Sequence, residues 1–130
     1  MQALPAASQN ISLTEAEENL ICRFVVAACG EDAPLAAKIG VVNVILMRLA
    51  DSRFPDNVTE VIFEGEFECV DNGRLDMALS EVSAASAENA LRVALSGHDP
   101  TGGAIYFAEK SDSKNDWSLT FEAGNFVFGK

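Results

Sequence analysis

Between Leu35 and Leu49 the chain reads LAAKIGVVNVILMRL, and its middle, Ile39 to Met47, carries Asn43 as its one polar side chain. A helix of this composition is apolar around almost its whole circumference, and water tolerates it only when other elements cover it on every side. The run is about half of the roughly 20 residues a membrane-crossing helix needs, so burial inside a protein is what it predicts. We therefore expect a central helix from about Ala33 to Leu49. Asp32 is placed to cap it, with Pro34 accommodated in its first turn.

The elements that must cover this helix can be read from their boundary signals. Thr14 and Glu17 have the spacing of a capping box, and Leu20, Ile21, Phe24, Val25, Ala27 and Ala28 form an apolar stripe behind them. Gly30 ends that helix. Asn57 and Glu60 cap a short helix running to Phe63, and Glu64 to Asp76 follows as a long irregular loop of the kind often held over a cleft. Ser83 to Ser96 reads as a third substantial helix, capped by Ser83, closed by Gly97 and turning Leu91, Ala94 and Leu95 inward. From Gly103 to Phe107 the pattern turns to strand, with two more short strands at Ser118 to Phe121 and Phe126 to Phe128 around Gly124-Asn125. Helices first and strands last predict an α+β fold: a central buried helix, surrounding helices and a small antiparallel sheet near the C-terminus.

A chain of 130 residues fits one domain, expected over residues 14–130 behind a poorly ordered leader at 1–13. The leader, MQALPAASQN and onward, has neither the basic stretch nor the apolar core of a signal peptide. With 9 Lys and Arg against 20 Asp and Glu, the net charge is −11. Nucleic acid is excluded as a partner by that balance, because a phosphate backbone is bound by striped Lys and Arg that release counterions. Short glycan fragments or a basic protein partner remain open. A single histidine, His98, and the lack of any CxxC pair argue for no metal site, and nothing calls for a cofactor. Of the three cysteines, Cys22 and Cys29 are about 10.5 Å apart along one helix and cannot bridge. Cys69 is left either to pair with Cys29 or to stay reduced like the others.

The stretch Arg53 to Arg74 holds Arg53-Phe54-Pro55, Val61-Ile62-Phe63, Glu66-Phe67-Glu68 and Gly73-Arg74, and further on stands Asp99-Pro100-Thr101-Gly102-Gly103-Ala104-Ile105-Tyr106-Phe107. In order and near-spacing these blocks resemble the SleB-type cell-wall hydrolases, among them the spore cortex-lytic enzymes. The likeness runs from about Leu20 to Phe128. It implies a small lysozyme-like domain that cleaves the glycan strands of peptidoglycan, as a glycosidase or a lytic transglycosylase, with peptidoglycan or muropeptide fragments as partners. It also implies an extracytoplasmic or wall-associated location. By the same resemblance the end of the first helix, the Glu64 to Arg74 loop and the Tyr106 strand should meet in one groove, with Phe67 and Tyr106 available to a sugar.

The resemblance breaks at the catalytic position. Relatives carry A-E-A-R-G-E or A-E-A-G-G-E near the end of the first helix, and the first Glu is the acid. This chain reads Val25-Val26-Ala27-Ala28-Cys29-Gly30-Glu31-Asp32. Anchored downstream the acid position falls on Cys29; anchored upstream it falls on Ala28. Met47 stands where relatives have Asn, Phe126 where they have His, and Ala108-Glu109 where they have Asn-Pro. Losing the acid forfeits roughly 100- to 10,000-fold of rate, so two readings stand. Either Glu31 or Glu66 replaces it, with burial raising its pKa so that it arrives protonated, or the domain is catalytically silent and binds glycan or a protein partner. A third reading makes Cys29 a thiol nucleophile with His98 as its base, but the carboxyl end of a helix raises a thiol pKa.

Overall fold

The computed structural model describes residues 12–30, 32–65, 67–77, 79–110 and 117–130. Most of the expected leader lies outside these residues; Leu13, at its end, packs on the core. Helix α1 spans Glu15–Cys29 and opens with the expected capping box: the Glu17 amide donates to Thr14 Oγ1 at 3.1 Å and the Thr14 amide to Glu17 Oε1 at 2.8 Å. It ends where Gly30 takes φ 78, and its buried stripe is Ile21, Phe24, Val25 and Ala27.

Helix α2, Leu35–Ala50, is the central element, buried continuously from Ala37 to Leu46 and again at Arg48. Its cap is Pro34, with no side-chain bond, so the expected Asp32 cap is not formed. A cap must immediately precede the first helical residue for its oxygen to reach the first-turn amides. Pro34, extended at φ −62 and ψ 152, delays the helix until Leu35 and puts Asp32 out of range. The one polar residue inside the apolar run is satisfied: Asn43 Nδ2 donates to the carbonyls of Ile39 (3.0 Å) and His98 (2.9 Å).

Helix α3, Val58–Phe63, starts at Asn57, whose Oδ1 accepts from the Glu60 amide at 2.9 Å. The segment expected to be an irregular loop from Glu64 to Asp76 instead holds a four-residue helix α4, Glu68–Asp71, and a 3-10 turn, Arg74–Asp76. Elements this short show no hydrophobic period, so only the tertiary anchor at Phe67 reveals them. Helix α5, Glu81–Leu95, is capped by Ser80, not Ser83. Ser83 is the third helical residue, and its amide donates to Ser80 Oγ at 3.1 Å. Two serines three apart offer the same signal, and the upstream one has the free position. Leu91 and Ala94 face inward as expected, while Leu95 is only partly buried.

The sheet is antiparallel with strand order β1-β3-β2, where β1 is Tyr106–Glu109, β2 Leu119–Ala123 and β3 Phe126–Gly129. The central strand β3 is buried along its whole length, and the turn into it uses Gly124 at φ 57. Strand β1 begins later than the expected Gly103. The carboxylate of Asp99 accepts from the Thr101 amide (2.8 Å), the Thr101 hydroxyl (2.6 Å) and the Gly103 amide (2.9 Å), locking residues 99–103 into a turn. Helices α1 and α5 cover two sides of α2, and the sheet is seated against it through Phe128 and Thr101.

Candidate active-site cleft

A hollow of about 200 Å³ opens where three parts of the chain meet. The end of α1 supplies Ala27 and Ala28, the segment after α3 supplies Phe67, Cys69, Asn72 and Arg74, and the sheet supplies Phe107, Ala108, Glu109 and Phe126. Its floor is aromatic. Phe67 meets Phe24 edge-on at 4.7 Å and stacks on Phe107 at 5.5 Å, so its ring is only 9% exposed and anchors the segment between α3 and α4. Phe126 brings a buried apolar ring to the wall. Asn72 accepts the Arg74 amide at 3.0 Å through the turn at Gly73, φ 83, which carries Arg74 to the rim.

The two candidate acid positions part company here. Ala28 lines the hollow, whereas Cys29 does not. Burial pushes the Cys29 thiol up to about 12, Cys69 adds to that, and Lys38 and Arg74 oppose it. A thiol held so high supplies no thiolate near neutral pH. His98 is exposed and absent from the lining, so the thiol-nucleophile constellation is not assembled. All three cysteines are free, and Cys29 and Cys69 are not bridged. Glu31 and Glu66 lie outside the described residues.

Tyr106 is elsewhere. It lines a second hollow, about 240 Å³, with Arg48, Phe54, Pro55, Val61, Glu64 and Gly65, and its ring stacks on Trp117 at 5.8 Å. Phe67 links the two hollows: it lines the first, and the Arg48 guanidinium lies 4.7 Å from its ring centre. The α1 end, the Phe67 to Arg74 segment and the β1 strand thus do converge, but Tyr106 itself looks onto the neighbouring hollow. Met47 is half-buried beside the Gly103 turn and lines neither of them.

One carboxylate of the cleft escaped the sequence reading. Glu109 is exposed on the sheet wall, across from the end of α1. A signal was present, because strand alternation puts Glu109 on the face of Phe107, whose ring lies against Phe67. Among the described residues no cluster of three or more metal-ligating side chains occurs, and no helix is long and apolar enough to cross a membrane.

The chain belongs to the cell wall hydrolase family, whose model matches residues 32–129, beginning just beyond the end of α1. Within that family it is of the SleB type, with a lysozyme-like α+β fold. The crystal structure of the catalytic domain of the Bacillus cereus SleB protein superposes with a TM-score of 0.78 at 26% identity, covering 95% of this chain and 96% of that one. The catalytic domain of the germination-specific lytic transglycosylase SleB from Bacillus anthracis superposes at 0.74 with 23% identity, covering 92% and 98%. Among whole proteins, the spore cortex-lytic enzyme of Halalkalibacterium halodurans is 39% identical over 85 residues, 65% of this chain and 24% of that protein. That of Bacillus cereus is 33% identical over 88 residues, 67% and 32%. The chain spans about a quarter to a third of the length of these curated relatives.

Proposed function

We propose that this chain seats a glycan strand of peptidoglycan in the cleft at the end of α1 and cleaves it, the proton coming from a carboxyl other than the one relatives place on that helix. The observation that carries this reading is the convergence of the α1 end, the Phe67 to Arg74 segment and β1 on one hollow in a chain of SleB type. The related proteins named as cortex-lytic or lytic transglycosylase act on wall material, which supports an extracytoplasmic site of action.

Glycosidic cleavage needs an acid at the leaving oxygen and stabilisation of an oxocarbenium-like state. Ala28 offers neither. Glu109 is the carboxyl that the described residues bring to the lining, and a sugar seated over it would remove the water that favours the charged form of a carboxyl. Glu31 and Glu66, which follow α1 and α3 in the sequence, are the other two candidates. Arg74 at the rim would meet the anionic groups of the wall, which a chain of net charge −11 otherwise repels.

A second reading, a silent domain that holds glycan or a protein partner, is favoured by one feature: Ala28 and Phe126 bring apolar side chains to the cleft at positions where the resemblance to SleB-type hydrolases implies a Glu and a His. A zymogram with purified walls, followed by muropeptide analysis, separates the two. Released muropeptides that vanish in one of Glu109→Gln, Glu31→Gln or Glu66→Gln, with melting temperature unchanged, support cleavage and name the acid. Absence of products with retained binding to wall sacculi supports the silent domain.

A further inference from the structure

Arg48 sits near the end of α2 with 6% of its surface exposed, in surroundings where a guanidinium is costly to hold. Its Nε donates to the Ile105 carbonyl at 2.9 Å. Three rings lie close to it, with centres 4.7 Å (Phe67), 4.8 Å (Phe54) and 5.6 Å (Tyr106) from the guanidinium carbon. Burial lowers its pKa, opposed by Tyr106. Cation–π contact offsets part of the desolvation. Rings laid over a guanidinium leave its in-plane N–H edge free, and that edge is built for bidentate bonding to a carboxylate. Among the described residues the two Nη groups have no hydrogen-bond or ion-pair partner.

The second hollow, about 240 Å³ and lined by Arg48 and Tyr106, is where such a partner could enter. Among the described residues the charged groups around it are few. Glu64 is exposed at its rim and makes no ion pair with Arg48, and Arg53, 5.9 Å from the Phe54 ring, is held by Asp51 at 2.7 Å. The buried cation is thus the positive charge left to bind.

We propose that this hollow is a carboxylate-binding subsite, in which the Nη edge of Arg48 grips a carboxylate of the wall polymer while Tyr106 flanks it. It rests on the peptidoglycan reading for the source of the ligand. Two sources share the chemistry: the lactyl carboxylate of an unsubstituted muramyl residue and the terminal carboxylate of a peptide stem. Because Phe67 lines the first hollow and its ring lies 4.7 Å from the Arg48 guanidinium of the second, a strand held by its carboxylate at Arg48 would lie beside the cleft at Ala28 and Glu109.

Trp117 is the single tryptophan and stacks on Tyr106, so its fluorescence reports on this hollow. At low salt the whole chain is titrated with N-acetylmuramic acid, with D-alanyl-D-alanine and with N-acetylglucosamine. A saturable change with either of the first two, and none with the third, is expected, and the responding probe identifies the source. Silence toward both carboxylates, or an equal response to N-acetylglucosamine, overturns the proposal. Arg48→Lys keeps the charge but loses the fork, and should weaken binding by about tenfold or more. Should that variant fail to fold, amide shifts of the unmodified protein decide: changes at Glu64, Gly65 and Tyr106 uphold the subsite, and changes confined to the Ala28 and Glu109 hollow refute it. Wall lysis is an independent readout. A protein that binds the carboxylates yet releases no muropeptides keeps the subsite and loses the cleavage reading, whereas a lytic protein blind to both probes loses the subsite alone.

Discussion

Gly40 on α2 and Phe128 on β3 are in contact because Gly40 lacks a side chain. A Cβ there would lie 2.8 Å from two carbons of the Phe128 ring and 3.1 Å from the Thr101 methyl. The sheet rests on the central helix through this gap. Alanine in place of an interior helical glycine ordinarily stabilises by about 0.5–1 kcal/mol. Here Phe128 and Thr101 are both fully buried and have nowhere to move, and overpacking costs about 1–3 kcal/mol. Gly40→Ala should therefore lose about 1 kcal/mol net, read as a lower urea midpoint at unchanged m-value. A higher midpoint would mean that the sheet shifts freely on α2.

The Asp-Pro-Thr-Gly-Gly block serves architecture. Asp99 accepts three hydrogens from Thr101 and Gly103, and the buried Thr101 hydroxyl in turn accepts from the Ala104 amide at 3.1 Å. Asp99→Ala would orphan these donors and should cost about 2–4 kcal/mol. Asp99→Asn keeps one acceptor oxygen and should cost about half as much. Thermal unfolding of the two variants tests the ranking, and equal losses would contradict the two-oxygen clamp.

The thiols make stability pH-dependent on the alkaline side. Burial, helped by Glu88 and Glu18, raises Cys22 from 9.0 to about 11, and burial raises Cys29 from 9.0 to about 12. Above pH 9.0 the unfolded thiols ionise while the folded ones stay protonated, so the unfolded state binds fewer protons and stability falls as pH rises. The contribution is whole below pH 9.0 and is lost progressively up to about 11 for Cys22 and about 12 for Cys29. Urea unfolding at a series of pH values from 8 to 11 should show this decline, and a Cys22→Ala, Cys29→Ala double variant should flatten it. Equal slopes in both proteins would assign the decline to other groups.

Activity should respond to a carboxylate on the cleft wall and not beside it. Ala28 lines the hollow and Cys29 does not, so in whichever Glu→Gln variant has lost lysis Ala28→Glu is expected to restore muropeptide release by about 100-fold, the lower end of a general-acid contribution. Cys29→Glu is expected to leave that variant inactive. Gain in the Cys29 variant alone would reverse the register that places the acid of relatives on Ala28.

Much of the fold was legible because its signals are local. The Thr14–Glu17 capping box, the Asn57 cap and the glycine at the end of α1 each involve residues within one helical turn, and each appears in the structure as expected. Where the expected cap had a neighbour within three residues, the expectation missed by that distance: Ser83 was expected and Ser80 caps α5, Asp32 was expected and Pro34 precedes α2. Packing decided the position, by setting where the chain could first turn into helix.

What the sequence determined by itself was the centre of the molecule. A run from Ile39 to Met47 with one polar residue has no exposed face to offer, so α2 had to be enclosed whatever surrounded it. The site was different, because no short pattern says which distant side chains share a hollow. Arg48 meets the Ile105 carbonyl across 57 residues of chain, Phe67 reaches Phe24 and Phe107, and Tyr106 turns toward Arg48 and away from Ala28. Only the tertiary structure decided that Ala28, and not Cys29, lines the cleft and that Glu109 stands on its far wall. The physical reason is that periodicity tells which face of an element is apolar, while the chemistry of a cleft depends on how several such faces are rotated against one another.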